Sequence, residues 1–290
     1  MFDFKPLFAL EKAHSDAVRS LVLTPDAQHI VSGGGAEVMR SRLVDGKCSW
    51  QRELHERKEV LGVALTPDGK YVISGGRDSC LRRTPCSDGR FPEVLERHKD
   101  AVGSVATKPD GNHVASSSLE RVTVVRLSDR RIVQTLDHAE FVWCLAYALD
   151  GAHLLAATGP EVWVWGASET EPVRTLQPHT TTVTGIAAAP DGRYILSAHG
   201  TMISVWQASD GKLVRELNGH SDWIRAMTIL ADGQHLLSCG DDEILNLWRL
   251  SDGKPMHSQK QVGRIYSLAA TPDRLVCGME DGSIRLWSMM

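Results

Sequence analysis

The chain has 290 residues and a formal net charge of −4, from 32 Lys and Arg against 36 Asp and Glu interspersed along it. That length suffices for a single large all-β domain, and the mixed charge offers no one-sided basic stripe to neutralise a phosphate backbone, which excludes nucleic acid as the expected partner. The opening MFDFKPLFALEKAH lacks a basic run, an apolar core and a cleavage site, and no segment approaches the roughly 18 apolar residues of a membrane span, so the expected setting is soluble and cytoplasmic, without a membrane partner. Six scattered cysteines, Cys48, Cys80, Cys86, Cys144, Cys239 and Cys277, fit reduced thiols in a chain that can bury its own core. Cys80 and Cys86 lie close together without a second ligand pair, so no metal is expected.

In chain order, residues 4–12, FKPLFALEK, come first, and they precede His14 as KLVRELNG precedes His220. A fourth-strand sequence therefore stands ahead of any first strand. One turn then recurs seven times, as TPDA at Thr24, TPDG at Thr66, KPDG at Lys108, ALDG at Ala148, APDG at Ala189, LADG at Leu230 and TPDR at Thr271, with a period of 40 to 42 residues. Proline presets φ, aspartate bonds its own backbone and glycine tolerates positive φ, so each copy predicts a hairpin between two short strands. Apolar runs such as VRSLVLT and IRAMTIL precede the turns, and HIVSGG, YVISGG and HLLSCG follow them. A second turn, VDG at Val44, SDG at Ser87, SDR at Ser128 and SDG at Ser209 and Ser251, separates a third strand from a fourth.

Each unit is thus a four-stranded antiparallel meander, and seven of them predict a seven-bladed β-propeller, which protects sheet edges by radial repetition. The blades fall at about 13–54, 55–97, 98–137, 138–178, 179–219, 220–260 and 261–290, with residues 1–12 as the outer strand of the closing blade. The last unit runs out after its third strand, Ile284 to Trp287, so the ring is expected to close by pairing the N-terminal strand with the C-terminal blade.

Just before each first strand stand His14, His55, His98, His138, His179 and His220, spaced by 41, 43, 40, 41 and 41 residues, with Gln261 in the seventh unit. The string His220, Ser238, Asp242 and Trp248 resembles the hydrogen-bonded tetrad of WD-repeat (WD40-type) propellers, and the resemblance covers all seven units. Departures are Gln261 and Cys277 in unit seven, beside Asp281 and Trp287; Thr84 for tryptophan in unit two, which keeps His55, Ser74 and Asp78; and Ser41 and Val125 in units one and three. Units four and five keep Trp165 and Trp206 with a shorter turn that lacks the aspartate.

Equivalent histidines of a ring lie on different blades and cannot converge on one ion, so their expected role is structural, as is that of His29, His113, His153 and His235 at the starts of second strands; His199 and His257 are single occurrences. No nucleophile elbow, phosphate-binding glycine loop or His-Glu-x-x-His helix is present, and SGGGA at Ser32 reads as a turn. The expectation is a non-catalytic scaffold or adaptor without cofactor, monomeric, binding another protein or peptide. The alternatives are a propeller hydrolase with a channel site and a reader of a modified peptide.

Positions that vary between otherwise similar repeats are free for function. Three and five residues after the histidines and Gln261 stand Phe141, Trp143, Trp223, Arg225, Arg264, Tyr266 and Arg19, types enriched in binding hot spots, and strand alternation puts both sets on one side. The resemblance places that side at the channel mouth, on the top face where partners dock. With Arg77 they form the expected partner site, anchored near Trp223 and Tyr266; the arginines favour an acidic or phosphorylated segment, and Asp241 and Glu280 favour basic residues.

Overall fold

The computed structural model describes residues 4–138, 140–148, 150–167, 169, 171–177 and 179–289; residues 1–3 of the closing segment, Leu149 of the fourth turn and the blade-boundary residues Pro178 and Met290 lie outside them. The expected turns close as aspartate and threonine dictate. Asp68 Oδ1 accepts from the Lys70 amide at 3.0 Å and from Thr66 Oγ1 at 2.7 Å, and the Gly69 amide donates to the Thr66 carbonyl at 2.8 Å with Gly69 at φ +69°. Unit seven has a tighter version, in which the Thr271 amide reaches the Arg274 carbonyl directly at 2.9 Å.

These hairpins build seven four-stranded antiparallel sheets. Blade six is representative, with Ile224–Ile229 innermost, then His235–Gly240, Ile244–Arg249 and Pro255–Lys260 at the rim. The second strand is buried on both faces because it lies between neighbouring sheets, whereas the fourth alternates around an exposed edge. The first strands, Val18–Leu23, Val60–Leu65, Ser104–Thr107, Val142–Tyr147, Val183–Ala188, Ile224–Ile229 and Ile265–Ala270, adjoin one another in chain order, and the last returns to the first. In unit three this strand begins six residues after His98, against four after His220 in blade six, and the Ser104 amide bonds the Ser117 hydroxyl at 3.0 Å.

Each core cluster joins two adjacent blades. Leu237 and Leu247 of blade six meet Ile265, Leu275 and Trp287 of blade seven, and Val31 and Val72 do the same for blades one and two. Hydroxyls stitch the first strands across the gaps: Ser267 Oγ donates to the Val18 carbonyl at 2.8 Å, Thr184 Oγ1 to Ile224 at 2.7 Å and Thr107 Oγ1 to Leu65 at 2.8 Å. The ring closes as the sequence implies. Phe4–Leu10 pairs antiparallel with Ile284–Met289, from Phe4 opposite Met289 to Leu10 opposite Ile284, and the third strand of blade seven runs two residues beyond the expected Trp287.

Candidate functional site

Ile224 lies opposite Gly240, so the loop before each first strand and the turn after each second strand share one end of the blade. That end is the upper face. The histidines hold it together. In blade six His220 Nδ1 donates to Asp242 Oδ2 at 2.7 Å, Nε2 meets Ser238 Oγ at 2.7 Å, and Trp248 Nε1 donates to the same hydroxyl at 2.8 Å. Asp242 also accepts the Ser221 and Ile244 amides, both at 3.0 Å, and so fixes both upper loops at once.

The other blades keep parts of this linkage. Blade two retains His55 with Asp78 at 2.7 Å and Ser74 at 2.9 Å, and a buried Arg82 bonds Asp78 beside the vacant tryptophan position. In blade five Ser197 joins His179 at 2.7 Å and Trp206 at 2.8 Å, while the Pro160 carbonyl replaces the aspartate at 2.8 Å. Blades one and three keep only the histidine–serine bonds, His14 to Ser32 at 2.8 Å and His98 to Ser116 at 2.9 Å. Their turns, Gly35–Ala36 and Leu119–Glu120, are as short as those of blades four and five, with the first residue at positive φ as in Gly159 and Gly200. In blade seven Asp281 caps Ser283 at 2.9 Å, and Gln261 Nε2 is buried without a partner among the described residues. Blade four has lost the hub. Ala156 occupies the serine position, and both ring nitrogens of His138 and the indole nitrogen of Trp165 are buried without partners among the described residues.

His138 is nevertheless packed between Trp163 and Trp165, with ring centroids 5.0 and 5.5 Å away. Burial lowers its pKa to about 4 against a weaker opposing pull from Asp137, and burial, then His199, lower that of His179 to about 4 against the Pro160 carbonyl. Both are neutral in the native ring and protonate near 6.5 when unfolded, so the stability they supply is complete above pH 6.5 and is lost as pH falls toward 4. The loss is on the order of 3 kcal/mol each. Urea midpoints at pH 7.5, 6 and 5 should fall steadily, and His138→Leu should flatten that slope; an unchanged slope would refute the assignment.

The fifth-position residues owe their placement to a feature the spacing does not reveal. In six blades the ladder between first and second strands skips one residue, and the skipped residues are Arg19, Leu61, Trp143, Thr184, Arg225 and Tyr266. Each is the extra residue of a β-bulge, freed from the ladder and re-aimed. In blade three Gly103 takes the position, and the Phe141 ring lies so close that a Cβ there would stand 3.3 Å from it.

Two sectors result. From blade six to blade two runs a continuous charged chain: Asp241 takes the Arg225 guanidinium, with Nε at 2.9 Å; Tyr266 lies under Arg225 at 5.9 Å and under Arg19 at 4.7 Å; and Glu59 takes Arg19 and Arg77, each at 2.7 Å. Burial pushes the Glu59 carboxyl up, but its bonds to Arg77 and Arg19 prevail and hold it below the ordinary value. Arg264 reaches Glu280 at 3.6 Å. Asp241 and Glu280, expected to face basic residues of a partner, are therefore already matched by this chain's own arginines. The second sector is blade four, where Phe141 and Trp143 lie 4.6 Å apart and Trp143 is 51% exposed. Trp223 is 37% exposed at the edge of the first sector, and Gly240 lets its carbonyl approach: a Cβ on that glycine would lie 2.1 Å from the oxygen.

The remaining repeat histidines serve the opposite end. His113, His153 and His235 bond Asp110, Asp150 and Asp232 of their own hairpins at 2.7, 3.0 and 2.6 Å, and His29 meets Arg40 at 3.1 Å. Among the described residues no three His, Cys, Asp or Glu side chains converge to hold a metal.

The sequence model of the WD domain, G-beta repeat, matches residues 4–38, 46–82, 89–124, 170–207, 211–249 and 253–288, passing over the stretch that holds most of blade four. No curated protein matches the chain. Blade four still carries the register and bulge of its neighbours, and the six matched stretches cover well over half of the sequence. The chain therefore belongs to the WD40 family of G-beta-repeat propellers.

Proposed function

We propose that the protein is a non-catalytic interaction scaffold that holds a partner protein or peptide on the upper face of the ring, acting in the cytoplasm as a monomer. WD40 propellers are generally scaffolds of this kind. The observation that supports the reading is the recurring bulge, which places one residue outside the strand ladder at six equivalent points of the upper face. Arg19 and Arg225 lie over Tyr266, with Arg77, Arg264 and Trp223 in the same sector, and Phe141 and Trp143 form the other. Because Arg225 and Arg19 already have carboxylate partners, a docking segment gains most from the aromatic surfaces, and the arginines contribute orientation.

Recovery of partners from native extract should give a specific protein with the wild-type chain and lose it with Trp223→Ala, Arg225→Ala, Tyr266→Ala in a chain of unchanged thermal midpoint. Equal recovery by the two chains would remove this sector from the site. No specific recovery with either would refute the scaffold reading.

A further inference from the structure

Blade seven shows what an aromatic residue at the bulge position does. Tyr266 is covered by the guanidinium groups of Arg19 and Arg225, at 4.7 and 5.9 Å. Trp143 occupies the same position in blade four, an indole being the strongest aromatic acceptor for a cation, and Phe141 beside it enlarges the surface at an interplanar angle of 55°. No cation of this chain lies over either ring among the described residues.

The charges around this pair have the complementary sign. Glu140 immediately precedes Phe141 and lies over the turn of its own blade, where a Cβ on Gly159 would stand 2.1 Å from its Oε2. Glu120 sits in the short turn of blade three, which is tied directly to the aromatic loop: the Val142 amide donates to the Leu119 carbonyl at 2.9 Å and the His138 amide to the Glu120 carbonyl at 2.7 Å. Asp100 belongs to the same corner, since its carbonyl accepts Ser118 Oγ at 2.9 Å. Glu120, Glu140 and Asp100 are exposed and make no ion pair among the described residues; of the cations that share the Glu120 cleft, Arg121 is taken by Asp137 at 2.8 Å, Arg97 is balanced by the adjoining Glu96, and Lys99 offsets one of the three charges. In the charged sector, by contrast, Glu59, Asp241 and Glu280 each have an arginine.

Leu119 adds an independent mark. It adopts φ +48° at the turn position where blades one, four and five have glycine, and it is 44% exposed. A leucine held in the left-handed region costs about 1 kcal/mol or more, and such strain collects at ligand clamps.

We infer that Phe141 and Trp143, with Glu120 and Glu140, receive the cationic side chain of an arginine or lysine from a basic segment of the partner, its aliphatic stem against Leu119. The inference rests on the upper face being the docking surface. It adds to the blade six and seven sector, whose charges are internally matched, a second anchor in the blade three and four sector, whose charges are not.

An octa-arginine peptide is the probe, followed by the indole resonance of Trp143 and by anisotropy of a labelled copy. Binding that shifts this resonance is expected, with affinity reduced roughly tenfold by Trp143→Ala and severalfold by the pair Glu120→Gln and Glu140→Gln, retained in part by Trp143→Phe, and unaffected by Trp223→Ala. An octa-glutamate peptide should produce no shift. Equal binding by wild type and Trp143→Ala, with both chains folded, overturns the inference, as does a stronger response to an uncharged leucine-rich peptide. A recovered partner that depends on Trp143 but is not displaced by octa-arginine would leave the scaffold reading standing and remove the cationic ligand. Octa-arginine bound at Trp143 with no partner recovered by the face would do the reverse.

Discussion

Deleting residues 4–10 should cost about 5 kcal/mol or more, enough to abolish cooperative folding of a domain whose whole stability is of order 5–15 kcal/mol. The segment is the outer strand of blade seven, and its loss strips the backbone partners from Ile284–Met289. It also removes contacts to both neighbours. Phe4, 3% exposed, sets its ring edge-on against His257 of blade six at 4.8 Å, while Phe8 and Leu10 reach the Gly46 turn of blade one, where a Cβ would collide with them. The milder Phe4→Ala should lower stability by about 3 kcal/mol through the cavity it leaves, with the ring still formed. Urea titration read by circular dichroism and tryptophan emission checks both. A deleted chain with the wild-type midpoint would mean that the ring does not depend on this strand.

The second large effect concerns the serine at the centre of the tetrad. Ser238→Ala should destabilise by about 2–3 kcal/mol, because Trp248 Nε1 loses its partner at 2.8 Å while remaining buried and His220 Nε2 is left with the Asn246 amide alone, at 3.2 Å. Blade four already lacks this hydroxyl. Ala156 pairs with Leu145 and Trp163 in the register in which Ser238 pairs with Met227 and Asn246, so Ala156→Ser places an oxygen at the vacant point between His138 and Trp165. The expected gain is about 1 kcal/mol, read as a rise of about 2 °C in thermal midpoint. Two substitutions of opposite chemistry thus test one hub from both directions. A destabilised Ala156→Ser chain would show that blade four has closed around its missing hydroxyl.

Most of the architecture was readable because it is written locally. The aspartate–glycine turns, the burial of second strands and the string His220, Ser238, Asp242, Trp248 each act within one unit, and repetition multiplies a weak signal seven times. What escaped the sequence depends on neighbours. No residue type marks the bulge, since Arg, Leu, Trp, Thr and Tyr all occupy it; the skip belongs to the pairing of two strands. Glu59 takes Arg19 from the adjacent blade, 40 residues earlier, which composition alone does not disclose, and Asp241 and Glu280 read as free because each meets an arginine of its own blade across the folded hairpin, Arg225 and Arg264. The substitution of Ala156 for serine was present in the string HLLAAT, and alignment of the second strands alone would have exposed it.

The recurring bulge has a consequence for how such a protein changes over generations. A residue outside the ladder can be exchanged without disturbing the strand that carries it, so the mouth of the ring behaves as a row of separately rewritable addresses on a fixed frame. Leu61 could be exchanged for an aromatic or a charged side chain, and the surface would acquire a new preference while the blade kept its register, whereas Thr184 is tied to the next blade by its hydroxyl. New specificity can arise here one residue at a time, through folded intermediates throughout.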